Sequence, residues 1–155
     1  MNRRAWLLVA VAAFTVVGAA VVTGAATEPV LVVTDDEGNE LLAVPVDSDT
    51  EIAIEYTHSV ERTLVTDVYV VSDGALVTDR MVFSSYGAGL PSDAEVTRVG
   101  DRYVYSPSEQ RHETLTVATG FVAGHELVVG DERYDLADRA DGGTVQLRIE
   151  NRLRI

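Results

Sequence analysis

From Thr27 to the C-terminus no stretch holds apolar residues at helical spacing. Short runs rich in valine, isoleucine and tyrosine alternate with turn signals instead, which is the pattern of an all-β chain. The sharpest break is Ser72-Asp73-Gly74-Ala75, between the runs Leu64–Val71 and Leu76–Phe83. Asp-Gly is the favoured pair for a two-residue type I′ hairpin, because both central residues take positive φ. Pairing Ser72 with Ala75 sets Val70 opposite Val77, Thr66 opposite Met81 and Asp67 opposite Arg80. Asp67 and Arg80 are therefore expected as a structural ion pair that holds the register.

The other runs extend the same pattern. Pro29–Thr34 and Glu40–Val46 flank an acidic turn, with Pro45 marking an edge or a strand end. Glu51–Val60 alternates, with Ile52, Ile54, Tyr56, His58 and Val60 on one face and Ala53, Glu55, Thr57, Ser59 and Glu61 on the other. Glu95–Val99, Arg102–Ser106, Glu113–Thr119, His125–Val129 and Arg133–Leu136 follow as strands. Pro107–Arg111 reads as a loop, and Ala137–Gly143 as a loop or one short turn. Thr144–Ile155 places Val145, Leu147, Ile149, Leu153 and Ile155 on one face. Ten or eleven short strands predict an antiparallel β-sandwich or barrel. A chain of 155 residues fits one such domain, and without cysteine it needs no disulfide and offers no thiolate metal site.

The first residues differ in kind. Ala5–Ala26 carries no charge and is long enough to cross a bilayer as a helix, with Arg3 and Arg4 on the cytoplasmic side. Residues 1–26 are thus expected as an anchor or export signal, and residues 27–155 as an extracytoplasmic β domain. Arg3-Arg4-Ala5-Trp6-Leu7 has the look of a twin-arginine export signal, and Gly24-Ala25-Ala26 offers a cleavage site after Ala26. The length of the run favours a retained single-pass anchor, and every alternative places the β domain outside the membrane.

The formal charge is −13, or −15 once Arg3 and Arg4 are set aside (−13 − 2). A nucleic-acid binder needs a basic footprint, so that class is excluded. All twelve basic residues are arginine. An acidic chain without lysine has the composition of a halophilic protein, whose hydrated carboxylates keep it soluble when salt screens charge repulsion.

The chemistry-bearing residues cluster between Glu51 and Pro91. His58, His112 and His125 lie at no recognised ligand spacing, so neither metal nor cofactor is expected. Ser59, Ser84 and Ser85 are potential nucleophiles, but no Gly-x-Ser-x-Gly elbow is present, and strand alternation separates His58 from Ser59. A hydrolase is the weakest reading, and no catalytic residue is assigned. A binding site is the stronger one: Tyr56, His58, Ser59, Glu61, Arg62, Ser84, Ser85, Tyr86, Gly87 and Gly89 converge if the glycine-rich loop folds back over the strand before it. The competing view is that Tyr56 and His58 satisfy buried backbone groups and buttress that loop.

Tyr56-Thr57-His58-Ser59-Val60-Glu61, an acidic residue at Asp67, and Phe83-Ser84-Ser85-Tyr86-Gly87-Ala88-Gly89-Leu90-Pro91 together resemble the domain-of-unknown-function family numbered 1850. The resemblance covers Ile52 to Pro91, with aspartate at position 67 where the family more often carries glutamate. It implies a small extracytoplasmic or membrane-anchored protein, associated with TAXI-type TRAP transporters. The implied function is a non-enzymatic accessory role in solute uptake, with a TRAP permease or its solute-binding protein as partner. A small-ligand or metal-binding β module is the alternative.

Overall fold

A computed structural model describes residues 26–85 and 95–154. The expected N-terminal helix, Tyr86, Gly87, Gly89 and Ile155 all fall outside those residues. Twelve strands and one helical turn follow in order. They are β1 (Thr27–Asp35), β2 (Glu40–Pro45), β3 (Glu51–Thr57), β4 (Leu64–Ser72), β5 (Ala75–Phe83) and β6 (Val96–Val99). Then come β7 (Arg102–Tyr105), β8 (Arg111–His112), β9 (Leu115–Ala118), β10 (Glu126–Val129), β11 (Glu132–Asp135), α1 (Leu136–Arg139) and β12 (Thr144–Leu153). Asp135 caps α1, accepting from the Asp138 N–H at 2.8 Å.

The strands form two antiparallel sheets. The smaller has the order β2-β1-β12-β9, and the larger the order β11-β10-β3-β4-β5-β7-β6, with β8 on the same edge of β5 as β7. Among the described residues neither sheet closes on itself, so the barrel alternative is not realised. Leu31, Val33, Val145 and Leu147 of the smaller sheet share one buried cluster with Ile52, Ile54, Val71, Leu76 and Leu127 of the larger. Burying each such side chain contributes about 1.5–3 kcal/mol. A second, smaller cluster joins Val65 and Phe83 to Met81, Tyr103 and Tyr105, and Tyr56 touches both clusters.

Three expectations need correction. The Asp73-Gly74 hairpin forms as expected, with φ of 47° and 75° and Ser72 opposite Ala75. Beyond Thr78, however, a bulge at Asp79 lets two residues of β5 face one of β4. The register then slips by one: Val68 meets Arg80, and Asp67 meets Met81. Arg80 instead binds Glu51 at 2.8 Å and also contacts Asp79. The Asp67–Arg80 ion pair does not form. The second correction concerns β3, which ends at Thr57, so His58 and Val60 do not continue its buried face; Val60 is exposed. The third is Leu153, which alternation places inward but which lies exposed beyond the end of the core. The Pro107–Arg111 loop also gives up its last residue to the two-residue strand β8.

The registers divide the molecule into two ends. Thr27 pairs with Leu153, and the Arg154 N–H donates to the Ala26 carbonyl, so the chain enters at one end. Asp35 pairs with Val145, and Thr144 with Ala118, so the β9–β10 connection lies at the other end. Thr57 donates to the Ala123 carbonyl at 2.8 Å, which brings the β3–β4 loop to that same far end. Nine residues of β1 separate the two ends by about 30 Å.

Candidate functional site

The loop after β3 is a closed turn. The Arg62 N–H donates to the His58 carbonyl, and the His58 N–H to the Thr63 carbonyl, each at 2.9 Å. Arg62 takes positive φ, 53°. Within the turn, His58 Nδ1 accepts from the Val60 N–H at 3.3 Å and the Glu61 N–H at 3.2 Å. That nitrogen is an acceptor bound to backbone, which leaves it unavailable as a general base for Ser59. Ser85 at the end of β5 ties in through Thr63 Oγ1 at 3.3 Å and Glu61 at 3.5 Å, with Ser84 exposed beside it. His58, Ser59 and Arg62 share a shallow cleft of about 160 Å3 with Val122. On the same two loops Val60, Phe121 and Val122 are exposed, Val122 to 90 %, as is Leu64 at the start of β4.

Tyr56 is not part of this turn. It points between the sheets, where a different group of residues converges. On the inner face of the larger sheet Asp67 lies between Ile54 and Met81 in the ladder, with Tyr69 two residues along β4. The Tyr56 hydroxyl hydrogen-bonds to the Asp67 carboxylate. None of the ion pairs among the described residues includes Asp67. Burial pushes its carboxyl up to about 6, outweighing the Tyr56 bond, which acts the other way. Burial and the Asp67 charge also raise both phenols, Tyr69 to about 12.

A histidine backs each tyrosine. His125 stacks on Tyr56 with ring centroids 5.1 Å apart, and His112 meets Tyr69 edge-on at 5.8 Å. His112 Nε2 is satisfied by Thr78 Oγ1 at 3.0 Å. His125 Nδ1 is buried without a partner, while the ring bonds to the Gly120 backbone. Burial lowers the His125 basicity, so its imidazole is held toward the neutral form. Asp67 and Tyr69 wall two clefts. One, about 240 Å3, is bounded by Met81, Tyr105 and His112; the other, about 360 Å3, by Tyr56, His125 and β9. Among the described residues no group of three metal-ligating side chains comes together.

A family model described as a domain of unknown function, DUF1850, matches residues 52–136, more than half of the 155-residue chain. The chain belongs to the DUF1850 family. The matched span runs from the first buried residue of β3 to the first residue of α1, and so contains every site residue just described. Three of the four strands of the smaller sheet, β1, β2 and β12, fall outside the DUF1850 span. No curated protein and no solved structure is matched.

The expected site therefore divides. His58, Ser59, Glu61, Arg62, Ser84 and Ser85 gather at the far end of the domain, whereas Tyr56 joins Asp67 in the interior. Sequence reasoning missed Asp67, Tyr69, His112 and His125 as one group. One signal was present: an acid at an inward position of β4, between Val65 and Tyr69.

Proposed function

We propose that this DUF1850 protein is a non-enzymatic accessory domain, anchored outside the membrane by residues 5–26, whose far end docks on a TAXI-type TRAP transporter, at the permease or its solute-binding protein. One observation carries the docking surface. Val60, Phe121 and Val122 are exposed apolar side chains on two loops joined by the Thr57–Ala123 hydrogen bond, and Leu64, also exposed, opens β4 at the end of one of them. Exposed apolar groups gathered in one place mark interaction sites more often than scattered ones do. They lie about 30 Å from the end at which the chain enters, by the length of β1. An anchor before Ala26 presents this surface away from the bilayer, toward a partner that projects from it. The family resemblance supplies the identity of that partner.

Affinity purification of the tagged protein from native membranes is expected to recover permease or solute-binding subunits. Val122→Asp combined with Phe121→Ser should abolish recovery while leaving the fold intact, since both side chains are exposed. Recovery of neither subunit, together with normal uptake in a deletion strain, overturns the proposal.

A further inference from the structure

The cleft between Asp67, Tyr56 and His125 has a one-sided chemistry. Its wall carries a carboxylate that no cationic side chain among the described residues neutralises, and a buried imidazole nitrogen with no donor. His125 Nδ1 has no partner in the fold, and with the ring proton on the other nitrogen it is an acceptor. The Tyr56 proton is already committed to Asp67. An unneutralised carboxylate and an unpartnered imidazole nitrogen in one wall call for a ligand that brings donors and positive charge. Tyr56 and Tyr69 add aromatic surface, which attracts cations.

We propose that this cleft binds a primary ammonium group, with the Asp67 carboxylate as its counter-ion and His125 Nδ1 as a second acceptor. A metal ion fits less well, because one carboxylate and one imidazole fall short of the ligand set that zinc or calcium requires. A primary ammonium carries three donors and a single charge, which these acceptors match. The volume of about 360 Å3 admits a small amine rather than a long chain.

The test is a thermal-shift and calorimetric titration of the full-length protein with methylammonium and ethanolamine at constant ionic strength. Sodium, tetramethylammonium and guanidinium serve as comparisons. Saturable stabilisation by the primary amines, beyond that of matched sodium, is expected. Asp67→Asn keeps the side-chain shape and the acceptor for Tyr56, and should weaken binding at least tenfold. His125→Phe keeps the ring stack on Tyr56 and should weaken it severalfold. Asp101→Asn, in an exposed turn, should leave it unchanged. The proposal is overturned by amine binding no stronger than sodium, by equal binding to Asp67→Asn, or by an equal loss in Asp101→Asn, which would mean screening of the acidic surface alone. Preferential binding of guanidinium or tetramethylammonium likewise overturns the choice of a primary ammonium.

Discussion

Asp67 occupies a position where the alternation of β4 places Val65, Tyr69 and Val71 toward the core. Burial pushes its carboxyl up to about 6 in the folded protein, against 3.8 for a free aspartate side chain. Between those values the folded state binds more protons than the unfolded chain, so this group makes stability fall as pH rises across the window. Above about pH 6 the deficit is complete, on the order of 2–3 kcal/mol for a difference of that size. Asp67→Asn is thus expected to be more stable than the parent at pH 7.5 by roughly that amount, with the gap closing by pH 3.5. Urea denaturation of both proteins at the two pH values reads it. Asp35, Glu40 and Glu150 act in the opposite sense, since hydrogen bonds, from Asn39 or from arginines, hold their carboxyls below the usual carboxylate range. Their contribution is lost as pH falls, but equally in both proteins. A variant less stable at pH 7.5 would mean that the Asp67 charge is compensated in the fold.

At the scale of elements, the β4–β5 hairpin is held by its turn and by Arg111, whose guanidinium donates to the Ser72 and Asp73 carbonyls at 3.1 and 2.8 Å. Gly74 has φ of 75°, and a Cβ placed there meets nothing within 4 Å. Gly74→Ala should therefore cost only the strain of a left-handed backbone, about 1–2 kcal/mol. Equilibrium denaturation would show whether the loss stays in that range; no loss at all would mean the turn relaxes to another type. The bulge at Asp79 matters more for the site. By turning Arg80 toward Glu51, it withholds from Asp67 the cation that a regular ladder would have set opposite it. The bulge thus leaves the interior carboxylate without a counter-charge.

Across the whole molecule, 25 acidic residues face 12 basic ones. The ion pairs lie at the surface, as with Arg133 between Glu55 at 2.8 Å and Glu126 at 2.7 Å, and exposed pairs contribute little each. Self-repulsion of the remaining acids is expected to outweigh them, and salt screens it. The melting temperature is expected to rise as potassium chloride is raised from 0.1 to about 2 M. A fall on added salt, followed by calorimetry, would show that the surface pairs dominate. The two ends of the molecule also differ in character: the chain enters at Ala26, and the apolar loops sit at the opposite end.

Strand positions were legible in the sequence because they rest on local rules: alternation with period two, β-branched composition, and turn residues such as Asp73-Gly74 that need positive φ. The all-β antiparallel class and membership of the DUF1850 family follow from information of this local kind. The bulge at Asp79 carries no such mark, since aspartate there is compatible with a regular strand, and a single inserted residue changed every partner beyond it. The meeting of Tyr56, Asp67, Tyr69, His112 and His125 was decided by tertiary structure alone. β4 and β10 flank β3 in the larger sheet, so residues nearly 70 positions apart share one face. Pairing across distant strands depends on the packing of both sheets, which no local window of the chain contains.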